Sequence, residues 1–250
     1  MKKWIHDKRA QVSDKDRSKR DMMTRAARPF LASTVVITRG EKGAEEVLLG
    51  YRSRKHDFMP EVFVYPGGRV DRADSFAPYC GEIDRRTARI LGAALPPARV
   101  RACLLAGLRE TFEETGLIIG HRAPSPRNMN DPGWDGFHKA GYLPSINRLS
   151  VFGRATTPPY RPKRFDTWFF HTHLTDAEAA QPVSDSVELL DIRWAPLATA
   201  DALKMHVITE AMIGELRKYL KADAPPARVP FSRWHRGGFK YDAYPGSAKT

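Results

Sequence analysis

The chain has 250 residues, 42% of them hydrophobic, a length and composition that predict one substantial packed domain. No stretch of eighteen apolar residues is present, which argues against a membrane span. The first seven residues are mostly charged or polar and lack the apolar core of a secretory signal. Two cysteines, Cys80 and Cys103, show neither a metal-ligand spacing nor a disulfide framework. We therefore expect a cytoplasmic protein.

The formal net charge of +12 is concentrated toward the two ends of the chain. The simplest interpretation is a basic, solvated arm over residues 1–28, which would also attract phosphorylated small molecules. The alternative is a nucleic-acid-binding protein. Because no helix-turn-helix, zinc-finger or RNP pattern accompanies the charge, we do not expect nucleic acid as a partner.

The first predicted elements are three strands. The β-branched run at 32–38 predicts the first strand, and a turn at 39–43 leads to a returning strand at 46–51. A third short strand at 62–65 is ended by Pro66 and the glycine pair that follows it.

A long helix is the next clear element, after a polar segment at 69–95 that has only weak helical character. Pro97 suits the first turn of a helix, and Gly116 stands where a left-handed cap residue would end it after Thr115.

The remaining pattern alternates between strands and helices. Strands are predicted at 117–119, 165–171 and 187–194, and helices at 134–148 and 198–221. We expect one α/β domain over 29–221 and a Pro-, Arg- and Gly-rich tail over 222–250.

Three glutamates on the long helix carry the clearest chemical signal. At 100° per residue, Glu110, Glu113 and Glu114 fall within an arc of about 100°, at the margin of the apolar face. Like charges at these spacings repel, and Arg109 can hold only one of the carboxylates. A hard divalent cation such as Mg²⁺ would balance the charge. The alternative is a solvated glutamate cluster on a surface helix.

Residues 65–71 and 109–117 together resemble the Nudix box, G-x5-E-x7-R-E-U-x-E-E-x-G-U, in which U is aliphatic. Thr111 replaces an aliphatic residue, and Asp74 stands in the place of the first glutamate. Asp74 and Arg109 are 35 positions apart, against eight in the pattern. An insertion at about 75–100 accounts for the difference.

The insertion and two further segments resemble one branch of the Nudix superfamily, which includes a peroxisomal coenzyme A diphosphatase. The segments are 156–170, which contains Arg-Phe-Asp-Thr, and 58–71, which leads into the glycine pair. The resemblance implies a Nudix-type α/β/α sandwich with a mixed central sheet.

The resemblance also implies a site for Mg²⁺ or Mn²⁺. Glu113 and Glu114 would be the principal ligands, Glu110 an additional ligand and catalytic residue oriented by Arg109, and the Gly67 carbonyl a further ligand. Asp74 is a weaker candidate for the same site.

A general base outside the box is expected from a loop acid. The resemblance makes Asp185, Glu188 and Asp191 candidates, and Glu188, just before the strand end at 192–196, fits the family's arrangement best, although each could be a plain surface acid. Arg52 and Arg54 could contact substrate phosphates or simply be solvated.

Asp166 in the Arg-Phe-Asp-Thr segment has two interpretations. It could be functional, or it could be a structural acid that pairs with Arg164 or forms a turn.

These features predict a divalent-metal-dependent hydrolase of a diphosphate linkage in a nucleoside diphosphate-linked compound, either coenzyme A-like or a dinucleotide. The alternative is a non-catalytic sensor of a nucleotide-like ligand, but such proteins generally lack one of the box glutamates or the arginine. We expect a small phosphorylated molecule as the partner and no association with a membrane. The sequence does not decide between a monomer and a homodimer.

Overall fold

A computed structural model describes residues 27–53, 60–123, 132–235 and 238–245. In these ranges the chain forms a nine-stranded sheet and a separate two-stranded sheet. The larger sheet contains β1 (Phe30–Arg39), β2 (Glu46–Arg52), β3 (Phe63–Val64), β4 (Gly67–Arg69), β7 (Ser150–Thr156), β8 (Phe165–His173), β9 (Leu189–Pro196), β10 (Val229–His235) and β11 (Gly238–Tyr244). The smaller sheet pairs β5 (Gly120–Arg122) with β6 (Tyr142–Pro144).

The large sheet is mixed. Its strand order is β11-β10-β7-β8-β1-β2-β3, with β4 paired to β1 and β9 paired to β2. The pairs β1–β8 and β10–β7 are parallel, and the other pairs are antiparallel. Strand β1 is buried on both faces over most of its length, which explains why its apolar residues are consecutive at 35–37 rather than alternating with polar ones.

Helices cover both faces of this sheet. The helices are α1 (Arg85–Gly92), α2 (Pro97–Thr115), α3 (Pro132–Lys139), α4 (Asp176–Ala179) and α5 (Val207–Lys221). Successive β1 side chains point to opposite faces, so that Val35 joins the core that contains α2 and Val36 joins the core that contains α5. The predicted α/β/α sandwich with a mixed central sheet is confirmed.

Helix α2 has the ends that the sequence predicts. Pro97 lies in the first turn after the extended Pro96, and Gly116 caps the helix in the left-handed conformation with φ 74°. The Gly116 N–H donates to the carbonyl of Phe112 at 2.8 Å. Glu110, Glu113 and Glu114 therefore lie in the last two turns of the helix.

Three predicted elements are wrong, one in its type and two in their extent. Residues 117–119 form no strand, because the Leu117 N–H donates to Thr115 Oγ1 and the Ile118 backbone pairs with the Gln181 side chain, and strand pairing begins only at Gly120. The helix predicted at 134–148 stops at Lys139, and β6 and a 3-10 turn follow it. The helix predicted at 198–221 is a 3-10 turn at 200–202 and then α5.

The predicted tail over 222–250 is also wrong where β10 and β11 lie. Strand β10 pairs in parallel with β7, and Val229 is 1% exposed. The Pro, Arg and Gly content of this segment predicts an irregular tail rather than a hairpin. In the structure, the aromatic residues of the hairpin pack against the main sheet. The arm predicted over 1–28 lies outside the described residues except for its last two positions.

Among the described residues, no single helix has the length and apolar character needed to cross a membrane. The helices α1 and α2 meet these criteria only when taken together, and they are bent by 114° relative to each other. Cys80 and Cys103 are free thiols, as the sequence predicts.

Candidate active site

The C-terminal half of α2 lies against β4, where two glycines let the backbone approach the carboxylates. Gly67 has φ 152°, and a Cβ there would lie 2.4 Å from the Ser33 carbonyl oxygen. The Gly67 N–H donates to Glu114 Oε2 at 2.7 Å. A Cβ on Gly68 would lie 2.4 Å from the Glu110 carboxyl carbon. Gly67 is therefore required for the close pairing of β4 with β1, and Gly68 leaves the space that the Glu110 carboxyl group occupies.

Arg109 is the centre of the hydrogen-bond network. Its Nε and Nη2 donate to the two oxygens of Asp74, at 2.8 and 3.2 Å. Its Nη1 lies 2.8 Å from Glu113 Oε2 and 2.9 Å from Glu110 Oε1. Nη2 also donates to the carbonyl of Arg69 at 3.1 Å. These contacts occupy all five guanidinium hydrogens and fix two of the three glutamates relative to β4.

Asp74 is fully buried and faces Arg109. Its Oδ2 also accepts from the Asp71 N–H at 2.8 Å, and its Oδ1 accepts from the Trp134 indole N–H at 3.2 Å. Asp74 therefore lies next to the arginine of the box, as the Nudix box pattern suggests. Both of its carboxylate oxygens accept hydrogen bonds from protein donors.

Trp134 was not singled out by the sequence. It lies on α3 beside Phe137. A tryptophan on the apolar face of a helix is predicted to be an ordinary core residue. Only the three-dimensional structure shows that its indole nitrogen reaches Asp74.

The three glutamates differ in exposure. Glu114 is 3% exposed, and the side chains of Glu110 and Glu113 are 15% and 36% exposed. Glu110 and Glu113 thus lie at the margin of the buried face, as the sequence predicts, whereas Glu114 lies inside it.

Burial raises the pKa of all three carboxyl groups. The pKa of Glu110 rises to about 7, because burial and the charge of Glu113 outweigh the effect of Arg109. Burial and the charge of Glu110 raise the pKa of Glu114 well above its ordinary value, although the Gly67 N–H and Arg52 act against this. The pKa of Glu113 is raised, with burial as the main cause. For Arg109, burial lowers the pKa, but the Asp74 hydrogen bond and the surrounding carboxylates raise it further.

The glutamate cluster fits a divalent cation by donor type and charge. It offers only oxygen donors, and burial together with the mutual repulsion of the carboxylates raises the pKa of its groups, which a bound cation would oppose. Within the described ranges, no three His, Cys, Asp or Glu side chains already enclose a metal position. The carboxylates of Glu110 and Glu113 are turned to Arg109 instead.

Arg52, at the end of β2, and Glu188 lie close enough to act electrostatically on the cluster. Burial lowers the pKa of Arg52, and the charges of Glu114, Glu188 and Glu110 raise it in part. Glu188 is exposed and directly precedes β9. Arg54 lies outside the described residues. The structure thus brings Arg52 and Glu188 to the glutamates.

The other two loop acids are engaged locally. Asp185 Oδ1 accepts from the Ile192 N–H at 3.0 Å, and Asp191 forms an ion pair with Arg193. Of the three loop acids, Glu188 is the one whose charge acts on the pKa of Arg52 and of the glutamates.

Asp166 lies elsewhere. Its carboxylate accepts from Arg154 Nε and Nη2 at 2.9 and 2.7 Å, and from Thr156 Oγ1 at 3.3 Å. Arg164 instead donates to backbone carbonyls, including that of Thr157. The contacts of Asp166 are those of a structural residue, and its partner is Arg154 rather than Arg164.

Comparison with known proteins gives relatives and a fold. No family model matches the chain. Acyl-coenzyme A diphosphatase NUDT19 of Xenopus laevis is 25% identical over 221 residues, which cover 65% of this chain and 56% of that protein. The protein of the same name from Gallus gallus is 32% identical over 108 residues, covering 35% and 29%. The chain thus matches little more than half the length of the first of these curated relatives, and less of the second.

Among solved structures, a Nudix hydrolase from Alicyclobacillus acidocaldarius superposes with a TM-score of 0.56 and 25% identity. The match covers 78% of this chain and 91% of that one. The chain therefore has the Nudix-type fold, and the spacing of its helix carboxylates is similar to that of Nudix hydrolases. Within that superfamily it is similar to the acyl-coenzyme A diphosphatase branch, as the insertion in the box predicts.

Proposed function

We propose that the protein is a divalent-metal-dependent hydrolase of a diphosphate linkage in a nucleoside diphosphate-linked compound, either coenzyme A-like or a dinucleotide. The observation that carries the proposal is the network in which Arg109 and the glycine pair of β4 hold Glu110, Glu113 and Glu114. The names of the relatives favour an acyl-coenzyme A substrate, and the proposal extends this to the chain.

Glu113 and Glu114 would be the principal ligands of Mg²⁺ or Mn²⁺, with Glu110 and the Gly67 carbonyl as further ligands. When bound, the metal lowers the pKa of water and neutralises charge on the phosphate oxygens. Arg109 holds the Glu110 and Glu113 carboxylates next to each other, and its charge lowers the pKa of both groups, which favours the ionised form that binds a cation.

Glu188 would act as the general base. Its carboxylate accepts the proton of the attacking water, the water oxygen bonds to one phosphorus, and the bridging P–O bond breaks to leave a phosphate on each product. Arg52 would contact the negatively charged phosphates, since it lies beside Glu114 and Glu188 at the end of β2. Arg54 remains a second candidate for this contact.

The test is a panel assay with Mg²⁺ or Mn²⁺. The compounds are coenzyme A, acyl-coenzyme A, NADH, ADP-ribose, dinucleoside polyphosphates and nucleoside triphosphates, with product identification to locate the broken bond. We expect turnover of a coenzyme A-like or dinucleotide compound, loss of turnover with EDTA, and restoration by the added metal. Binding of a compound without turnover would instead favour the nucleotide sensor.

Two variants separate the roles of the acids. The double substitution Glu113→Gln and Glu114→Gln should abolish turnover, whereas Glu215→Gln, on the surface of α5 where it pairs with Lys218, should not change it. Glu188→Gln should lower kcat by at least about 100-fold, the usual contribution of a positioned base. An unchanged rate for the double variant would refute the metal mechanism.

A further inference from the structure

Trp134 is linked to the glutamates by a continuous chain of hydrogen bonds. Its indole N–H donates to Asp74 Oδ1 at 3.2 Å, and the same oxygen accepts from Arg109 Nε at 2.8 Å. Arg109 in turn contacts Glu113 Oε2 and Glu110 Oε1. Trp134 belongs to α3, a helix that follows the box in sequence and contains none of its residues.

The carboxylate of Asp74 is held by donors from three separate parts of the chain. Asp74 lies on a short 3-10 turn at 73–75 rather than on α2, and it is 35 positions from Arg109 in the sequence. Four hydrogen bonds fix its two oxygens: two from Arg109, one from the Asp71 N–H and one from Trp134. The Trp134 bond is the one that ties Asp74 to a helix outside both halves of the box.

We propose that Trp134 is a positioning residue for the carboxylate cluster. It acts through Asp74 and Arg109, and it sets where Glu110 and Glu113 lie relative to β4. The proposal rests on the proposed function for its catalytic meaning, but the hydrogen-bond chain itself is independent of substrate.

A purely structural role is the competing explanation. Trp134 is fully buried, packs edge-on against Phe137 and stacks on His138. Its replacement would therefore lower stability whether or not the indole N–H matters, so stability alone cannot decide.

Trp168 supplies a matched control. It is equally buried, but in the described part of the chain its indole nitrogen has no hydrogen-bond partner. Trp134→Phe and Trp168→Phe thus remove the same volume from the core, and only the first removes a hydrogen bond to a carboxylate.

The first measurement is Mn²⁺ binding to the full chain, followed by the loss of the free-ion signal in electron paramagnetic resonance. Trp134→Phe should weaken Mn²⁺ binding by about threefold to tenfold, somewhat less than the effect of residues that touch metal ligands directly. Trp168→Phe should leave the Kd within about twofold. Equal Kd values for wild type and Trp134→Phe, or an equal loss in both variants, would overturn the proposal.

The second measurement does not depend on metal. In ¹H–¹⁵N spectra the Arg109 Nε–H signal, assigned by its absence in Arg109→Lys, should exchange slowly with water in the wild type. It should exchange faster in Trp134→Phe and at the wild-type rate in Trp168→Phe. If Trp134→Phe does not fold, benzothienylalanine at position 134 keeps the ring shape and removes only the N–H.

The two measurements separate the two proposals. A wild-type protein that binds no Mn²⁺ would contradict the proposed function, whereas the Arg109 exchange rate would still decide the role of Trp134. Unchanged Arg109 exchange in the benzothienylalanine protein would show that Trp134 only fills the core.

Discussion

Asp74 and Arg109 are joined by two hydrogen bonds, at 2.8 and 3.2 Å, although they lie 35 residues apart in the sequence. Both are buried, and the intervening insertion contains α1, which packs against α2. The inserted segment therefore begins after Asp74 and ends on α2, the helix that carries Arg109, and the two residues remain in contact. Because Arg109 also contacts Glu110 and Glu113, this pair connects the insertion to the candidate metal ligands.

Asp74→Ala should destabilise the protein strongly. The substitution removes the carboxylate that accepts two of the Arg109 hydrogen bonds and leaves a buried guanidinium partly unpaired. Breaking a buried pair in this way costs about 3 kcal/mol of unfolding free energy, to be measured by urea denaturation.

The control for Asp74→Ala is Asp71→Ala. Asp71 forms an ion pair with Arg69, but both side chains are about half exposed, so its loss should cost less than about 1 kcal/mol. Its backbone N–H to Asp74 is retained. Equal destabilisation by the two variants would show that the buried Asp74–Arg109 pair contributes no more to the free energy of unfolding than the exposed Asp71–Arg69 pair.

Gly68→Ala should reduce metal binding with little effect on stability. The new Cβ would lie 2.4 Å from the Glu110 carboxyl carbon, which is the end of a flexible side chain and can move aside. We expect Glu110 to be displaced, Mn²⁺ affinity to fall about tenfold, and the unfolding free energy to change by less than about 1 kcal/mol.

Gly92→Ala is the matched control for this change. Gly92 is the last residue of α1, and a Cβ there meets no atom within 4 Å. It should leave Mn²⁺ affinity unchanged and add a few tenths of a kcal/mol at most to stability. A Gly68→Ala protein with wild-type affinity would contradict the contact between β4 and Glu110.

The buried His171 should make the protein less stable as the pH falls. Burial, assisted by the charge of His173, lowers the pKa of His171 to about 3, against about 6.5 in an unfolded chain. Since the unfolded state takes up the proton first, stability is fully present above pH 6.5 and is lost progressively as the pH falls toward 3.

At pH 5 the His171 contribution to the loss amounts to about 2 kcal/mol. Urea denaturation at pH 7 and pH 5 measures it, and His171→Gln should reduce the difference between the two pH values by about that amount. The buried Thr38 hydroxyl, 2.9 Å from His171 Nε2, can also bond the glutamine amide. The same pH difference in both proteins would place the titration elsewhere.

The sequence predicts local features of the site well and long-range ones poorly. Glu110, Glu113, Glu114 and Gly116 lie on one helix, so their relative placement follows from helical geometry alone. The pairing of Asp74 with Arg109 could be expected only through the family pattern, because an insertion of this length has no fixed geometry of its own.

Trp134 and the C-terminal hairpin are two features that the sequence pattern alone does not predict. A buried Trp on an amphipathic helix has the same sequence signature whether or not its N–H reaches a carboxylate. Strands β10 and β11 gain their stability from pairing with β7 and from aromatic contacts with distant residues such as Trp168. Tertiary contacts of this kind outweigh local composition.

The C-terminal hairpin should be held to the sheet through Arg154. This guanidinium forms a bidentate ion pair with Asp166, and its carbon lies within 4.6 to 4.8 Å of the ring centroids of Trp168, Phe231 and Tyr244. Arg154→Lys keeps the charge but loses the planar stacking and the second hydrogen bond, so it should cost about 2 kcal/mol.

Hydrogen exchange locates that cost. In Arg154→Lys the amides of β10 and β11 should exchange faster than in the wild type, while those of β1 and β2 should change less, because only the hairpin depends on the lost stacking. Arg233→Lys is the control, since Arg233 pairs with Asp242 within the hairpin at a more exposed position and should cost less than about 1 kcal/mol. If β10 and β11 exchanged at the same rate in Arg154→Lys and wild type, the hairpin would be held by its pairing with β7 rather than by Arg154.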